Sequence, residues 1–443
     1  MSATPISHAH LKPEVCPLHQ RSFSLDHQTL TQLLTERENI LIIQDLDGVC
    51  MGLVQDPLTR VIDKNYLEAT QSFAGRFFVL TNGEHIGKRG VNLIVEKAFG
   101  NFDLIKEKGF YLPGLAGGGV QWQDCYGNVS HPGVSNAELV FLAEVPRQIE
   151  AYLKQILPHQ PYNLATSQID QLIEATVLDN PVSPTVNINT FYEVLREQEG
   201  SYRQLQQAIQ SLMKKLLQKA QQQGLENSFF VHYAPNLGRD AQGEERIELA
   251  QGQNSGTTDF QFMLRGAIKE VGVLVILNHY YYGQTGTYPL GKDFNARQAP
   301  RSQQTLLNLI QDNFDPEIMP TMVGVGDTVT SKAEENNGQL QFCRGGSDRG
   351  FLELIQAIGR EFQTENVTVY VDSSHGEVKN RKPLKLESWI KHDYGVPQTE
   401  WRVIEGPGDH RDTEDPLRLN VVFPGGYQQY IDFFQTAASQ RVS

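Results

Sequence analysis

Two aspartates two residues apart, Asp45 and Asp47, follow a short apolar run and precede a glycine, Gly48. A carboxylate in such a place can attack phosphorus and carry the phosphoryl group as an aspartyl-phosphate. Its repulsion from the phosphate must be offset by a cation. Mg²⁺ suits that task because it takes carboxylate, phosphate and water oxygens. A third aspartate, Asp327, ends another apolar run, Met322-Val323-Gly324-Val325. Asp45 and Asp327 are therefore the candidate carboxylate ligands of Mg²⁺. Asp47 lies on the same side of an extended segment as Asp45. It is placed to protonate the leaving oxygen and later to deprotonate water. Gly48 allows the backbone to turn sharply beneath a substrate. Thr81 and Asn82 end a third run, Phe77–Leu80. The Thr81 hydroxyl and neighbouring backbone N–H groups are candidates to hold the transferring phosphoryl group.

These residues must be brought together by the elements that carry them. Ile40–Ile43 is a continuous apolar run rich in β-branched residues, as expected of a strand buried on both faces. A helix is expected from Asp63, its cap, to Phe73, ahead of the Phe77–Leu80 strand, which makes a βαβ unit. Met322–Val325, Val273–Leu277 and Val367–Val371 are further strand candidates, and Thr305–Ile310 reads as helix. In an open parallel sheet, ligands bind beyond the carboxyl ends of the strands. Asp45/Asp47, Thr81/Asn82 and Asp327 would then meet at one edge of an α/β parallel-sheet core built from 1–110 and 250–443.

Residues 111–249 are patterned less regularly and are expected to form an inserted α+β cap. Leu205, Ile209, Leu212, Met213, Leu216 and Leu217 recur at helical spacing, with Gly224 as a C-terminal cap, and Phe229–Val231 reads as strand. Gly114 to Gly119 lack the Lys-Ser/Thr ending of a nucleotide-binding loop and are expected to be a connection into the cap.

Charge and composition narrow the partners. The 443-residue chain carries a net charge of −14, so it has no basic excess to displace counterions from nucleic acid or an anionic membrane. No run of ~18 apolar residues suggests a membrane span. Four scattered cysteines and no signal-peptide pattern point to a reducing compartment, the cytoplasm. Lys379, Arg381, Lys382 and Lys385 read as a solvated face, Ser374-His375 as a turn, and Tyr280-Tyr281-Tyr282 as packing or as a sugar-stacking surface.

The motifs carry a resemblance. Asp45-Leu46-Asp47-Gly48-Val49, Thr81 after its strand, and Gly326-Asp327 resemble the first, second and fourth motifs of the haloacid-dehalogenase-like phosphatases. With an insert between the second and third motifs, they resemble the large-cap branch of the sucrose and trehalose phosphatases. Asn254–Phe260, Gly324–Ser331 and Val422–Tyr427 are similar to the glucosylglycerol 3-phosphate phosphatases, over about Asn39 to Phe434. The resemblance implies a Rossmann-like core with a large cap, and Mg²⁺-dependent hydrolysis of a small phosphorylated sugar, 2-O-glucosylglycerol 3-phosphate, in compatible-solute synthesis for salt tolerance. The alternatives are a sucrose- or trehalose-phosphate phosphatase and a catalytically silent sugar-phosphate sensor or regulator of a partner synthase; the candidate partner is the glucosylglycerol-phosphate synthase.

Two features depart from the superfamily pattern. The second acidic residue expected about four positions after Asp327 is replaced by Ser331. The metal would then rest on Asp327, the Asp45 carboxylate, the Asp47 carbonyl and water, with Glu334 or Glu335 as compensation. The third-motif cation is expected at Lys292, on a loop preceding the helix that leads to Asp327, where it would bind phosphate; Arg301 and Lys269 are the alternatives.

Overall fold

A computed structural model describes residues 16–234, 245–266, 268–336, 339–378, 381, 383–393, 396–407 and 411–441. Its first nine strands are β1 (Ile40–Gln44), β2 (Phe77–Leu80), β3 (Gly114–Ala116), β4 (Gln121–Gln123), β5 (Val129–Ser130), β6 (Val177–Leu178), β7 (Thr185–Asn187), β8 (Phe229–Ala234) and β9 (Asp259–Leu264). The remainder are β10 (Thr321–Gly326), β11 (Thr330–Asn336), β12 (Gln339–Gly345), β13 (Val367–Val371), β14 (Lys385–Asp393), β15 (Val396–Glu405) and β16 (Val421–Phe423).

Eight strands form one sheet in the order β16-β13-β10-β1-β2-β3-β4-β5. The pairs from β16 to β3 are parallel, and β4 and β5 add antiparallel. Both faces of the central strands are covered, which is why their sequences are apolar throughout rather than alternating. Ile40, Ile42, Val79, Val323 and Val325 pack into one layer, while Leu41, Ile43, Phe78, Leu80 and Met322 pack into the opposite one. Each such buried side chain contributes about 1.5–3 kcal/mol of transfer free energy. Asp63 caps the crossover helix Lys64–Thr70 by accepting from the Tyr66 N–H, and a 3-10 turn, Gln71–Phe73, completes it.

The second unit is a four-stranded antiparallel sheet, β6-β7-β9-β8, packed with the helices Asn136–Ile156, Thr166–Thr176 and Glu199–Gln222. Sheet membership moves the expected boundaries at 110/111 and 249/250. Strands β3 to β5 extend the large sheet, and β9 completes the small one by pairing with β7 and β8. The pairings that assign them, β3 with β2 and β9 with β7 and β8, join segments remote in sequence, so local pattern did not assign them.

Val273–Leu277, expected as a strand, lies inside the helix Lys269–Thr285. The helix is wedged between the sheet and the helix Arg349–Phe362, so it is apolar on nearly every side and its run imitates a buried strand. Two antiparallel hairpins, β11–β12 and β14–β15, stand outside both sheets. Among the described residues no helix is long and apolar enough to cross a membrane.

Candidate active site

The carboxyl ends of β1, β2 and β10 lie side by side because β1 pairs with both neighbours in parallel register. Asp45 follows β1, and its N–H donates to the Val325 carbonyl of β10 at 2.9 Å. Asp327 follows β10. Asp45, Asp327 and a third carboxylate, Asp348, each present an oxygen within 4.8 Å of the others, and all three are buried. One buried cation faces them. Lys269 Nζ lies 2.8 Å from Asp45 Oδ2 and 2.6 Å from Asp348 Oδ1.

Lys269 corrects the expectation for Lys292. Lys292 and Arg301 are exposed on the segment after the helix Lys269–Thr285, whereas Lys269 is only 4% exposed. Both lysines flank the same uncharged stretch, 271–291. Read as a strand and loop, that stretch favours Lys292; as the helix it is, it puts Lys269 at its N-terminal end, beside the strand termini. Gly272 makes the close approach possible, since a Cβ there would stand 2.5 Å from Leu80 Cδ1.

Asp348 corrects the expectation for Ser331. The acidic partner of Asp327 exists, but the β11–β12 hairpin separates the two by 21 residues. The hairpin closes at its base, where the Asp348 N–H donates to the Thr328 carbonyl at 3.1 Å. Asp348 Oδ2 accepts the N–H groups of Asp327 and Thr328, both at 2.9 Å. Ser331 instead donates to Asp412 Oδ2 at 2.8 Å, away from the cluster, and Glu334 and Glu335 are exposed on β11. The run Gly345-Gly346-Ser347-Asp348 was the available signal, because Gly346, at φ +108°, packs against the Thr328 carbonyl.

Electrostatics follow from burial. Desolvation raises the Asp45 carboxyl well above the usual carboxylate range, with Lys269 opposing the rise and Asp348 and Asp327 adding to it. Asp327 is pushed to about 7 by burial and by Asp348. Burial also opposes ionisation of Asp348, but Lys269 and the two backbone N–H groups hold it below the ordinary value. Three carboxylates thus share one lysine in a desolvated space. Asp327 Oδ2 is buried without a hydrogen-bond partner among the described residues. An orphaned carboxylate oxygen and an excess of negative charge fit a hard divalent cation. Asp45, Asp327 and the Asp47 carbonyl are the groups that would hold it, with Asp348 orienting Lys269 and the Asp327 backbone.

Both Asp47 oxygens accept from Arg60 Nη1, at 2.9 and 3.1 Å. Thr81 is buried, its Oγ1 accepting from the Gly83 N–H at 3.1 Å, and Asn82 is exposed beside it. A Cβ on Gly83 would lie 3.5 Å from Thr81 Oγ1 and 3.8 Å from Asp47 Oδ2, so the two polar groups border one space. The glycines expected to lead into the cap are part of this floor: Gly114–Ala116 is β3, and the N–H groups of Gly117 and Gly118 donate to the Gly83 and Thr81 carbonyls. Gly114 is required there, since a Cβ would stand 2.2 Å from the Val79 carbonyl.

Other sequence candidates fall outside the centre. Tyr280 and Tyr281 are buried and donate to Asn39 Oδ1 and the Asp315 carbonyl, while Tyr282 stacks on Tyr288, so the tyrosines pack. Ser373–His375 is a single 3-10 turn. Arg381 reaches Thr328 Oγ1 at 3.2 Å rather than lying on an open face, Lys385 pairs with Glu405, and Lys379 and Lys382 lie outside the described residues.

Comparison with known proteins shows the family. A family described as glucosylglycerol-phosphate phosphatase matches residues 39–438. A glucosylglycerol-phosphate phosphatase of Synechocystis sp. (strain PCC 6803) is 55% identical over 424 residues, covering 96% of this chain and 98% of that protein. Among solved structures, the C-terminal domain of Candida albicans trehalose-6-phosphate phosphatase superposes with a TM-score of 0.44 at 11% identity, over 94% of this chain and 98% of that one. That likeness is too slight to add to the assignment. On the match across its length, the chain belongs to the glucosylglycerol-phosphate phosphatase family.

Proposed function

We propose that this enzyme hydrolyses 2-O-glucosylglycerol 3-phosphate to glucosylglycerol and phosphate, with Asp45 as nucleophile, Asp47 as acid and base, and Mg²⁺ as cofactor. The observation that carries the chemistry is the buried group of Asp45, Asp327 and Asp348 around Lys269 at the strand ends; the substrate is carried by family membership. Bound Mg²⁺ would neutralise phosphoryl oxygens and the charge of the cluster.

The chain's own groups account for the steps. A carboxylate oxygen of Asp45 attacks phosphorus, and the bond from phosphorus to the glycerol oxygen breaks. The electron pair leaves on that oxygen, which takes a proton from Asp47. Water, giving its proton to Asp47, then attacks the same phosphorus. The acyl–phosphate bond breaks, Asp45 returns as a carboxylate, and phosphate departs. Thr81 Oγ1 and the N–H groups of the Asn82 turn are set to hold the phosphoryl oxygens, and Lys269 fixes the Asp45 side chain. The cap helices and β6–β9 would choose the sugar and exclude water until the phosphoenzyme forms.

On this reading the enzyme consumes the product of a glucosyl transfer to glycerol 3-phosphate, so the synthase is its supplier, and the product is a compatible solute for salt tolerance. The cytoplasm is the compartment we assign, in keeping with four cysteines that are all free thiols. The test is phosphate release from glucosylglycerol 3-phosphate, sucrose 6-phosphate and trehalose 6-phosphate, with and without Mg²⁺, beside Asp45→Asn. Mg²⁺-dependent preference for the first, lost in the variant, is expected. Preference for another sugar ester would overturn the substrate, and turnover by the variant would overturn the mechanism.

A further inference from the structure

The guanidinium of Arg60 has every nitrogen committed. Nη1 donates to both oxygens of Asp47, Nη2 donates to the Arg89 carbonyl at 2.7 Å, and Nε donates to the Pro57 carbonyl at 3.1 Å. Its side chain is only 11% exposed, against 32% for Asp47. Arg89, which supplies one of these anchors, is itself fixed, because its Nη2 donates to the Ala175 carbonyl at 2.5 Å, in the last turn of the cap helix Thr166–Thr176.

A planar fork held at three points has almost no rotational freedom left. The short side chain of Asp47, part-exposed beside it, has several rotamers of similar energy. The pair therefore divides its work unequally: Arg60 is the fixed member, and Asp47 takes its direction from it. Arg60 lies on the loop after the 3-10 turn Pro57–Thr59, outside both sheets.

We propose that Arg60 is a positioning residue for this reaction: it aims the Asp47 carboxyl at the leaving oxygen and ties that aim to the wall shared by the core loop and the cap. The inference rests on the reading of Asp47 as the acid and base.

The consequence is a leaving-group dependence. A sugar alkoxide needs a proton as its bond breaks, whereas p-nitrophenolate leaves without one. A well-placed general acid contributes about 10²- to 10⁴-fold. Misdirecting it should therefore slow the first step with glucosylglycerol 3-phosphate and leave the first step with p-nitrophenyl phosphate nearly unchanged.

The experiment measures single-turnover phosphoenzyme formation from both esters, with Mg²⁺ present, in the wild type, Arg60→Gln, Arg60→Lys, Asp47→Asn and the double variant. Arg60→Gln should lose about 10- to 100-fold on the sugar ester and less than threefold on p-nitrophenyl phosphate. Arg60→Lys should recover part of the loss, and the double variant should be no slower than Asp47→Asn alone. Circular dichroism and the thermal midpoint establish that each variant is folded. Selective loss in Asp47→Asn with equal losses on both esters in Arg60→Gln, or a rise in KM with an unchanged rate, would overturn the proposal alone. Equal losses on both esters in Asp47→Asn would overturn the acid–base reading and the proposal with it.

Discussion

Lys269 Nζ lies 2.8 Å from Asp45 Oδ2, with the side chains 3% and 9% exposed. The contact joins residues on either side of the cap insertion and puts a neutralising charge against the proposed nucleophile. Removing Lys269 leaves Asp45, Asp327 and Asp348 buried together with no side-chain cation, among the described residues, at hydrogen-bonding distance of Asp45. Breaking a buried pair in this way costs about 3–5 kcal/mol. Lys269→Met should lower the thermal midpoint by several degrees and turnover by at least 10³-fold (~4 kcal/mol in the barrier). Lys292→Ala, at an exposed position, should leave both within experimental scatter. Thermal unfolding and phosphate release distinguish the two lysines; a large loss in Lys292→Ala would reverse the assignment.

Asp348 and Ser331 separate in the same way. Asp348→Asn weakens the link to Lys269 and the support of the Asp327 backbone, so its apparent Mg²⁺ affinity should fall about 10- to 100-fold, as for groups that orient metal ligands. Ser331→Ala removes one hydrogen bond to Asp412, which keeps its pair with Arg344. It should cost about 1 kcal/mol of stability and leave Mg²⁺ dependence unchanged. Titrating activity with Mg²⁺ reads both variants.

Gly48 permits the turn that follows Asp47 and passes tightly against Asp327. It adopts φ +83°, and a Cβ would stand 2.3 Å from Asp327 Oδ2 and 3.0 Å from Ser373 Cβ. Gly48→Ala should abolish measurable turnover, because either the turn or the Asp327 carboxylate must shift. Gly100, at φ +65° with nothing within 4 Å, isolates the backbone penalty. Gly100→Ala should cost about 1–2 kcal/mol and retain full turnover.

Glu84 introduces a pH dependence of stability away from the metal ligands. Its carboxylate accepts from the Val182 N–H, Ser183 Oγ and Gln121 Nε2, joining the loop after Thr81 to the cap. Burial raises it from 4.5 to about 7 despite those bonds. The folded state therefore binds the proton more tightly than the unfolded state. Its stabilising share is complete below about pH 4.5 and is lost as pH rises through about 7. Relative to Glu84→Gln, the wild type should lose stability across that window, by about 3 kcal/mol at 1.4 kcal/mol per pH unit. Denaturant midpoints measured from pH 4 to 8 check the sign. A difference that stayed flat or grew in favour of the wild type would contradict it.

Much of the centre was legible because it is local. Asp45, Asp47 and Gly48 sit within four residues at the end of a β-branched run, and Thr81 and Asp327 end runs of the same kind. A strand buried on both faces must be apolar, and its polar end must lie at the edge, so the residue types alone imply the convergence. The caps at Asp63 and beyond Gln222 were legible for a similar reason, since a helix end requires a particular short-range chemistry.

What tertiary structure alone decided was long in range. Sequence marked Asp45, Asp47, Thr81 and Asp327, which follow strands that the fold places side by side. It left open which cation meets Asp45, because the stretch between Lys269 and Lys292 has the same apolar character as a strand or a buried helix. It also misplaced the acidic partner of Asp327, because a hairpin can be inserted between two residues that remain in contact. Arg60 carried no signal at all: its contact with Asp47 depends on a loop folding back over the turn. Short-range stereochemistry and solvent exclusion leave a trace in residue order, whereas the pairing of charges across a core depends on where whole elements pack.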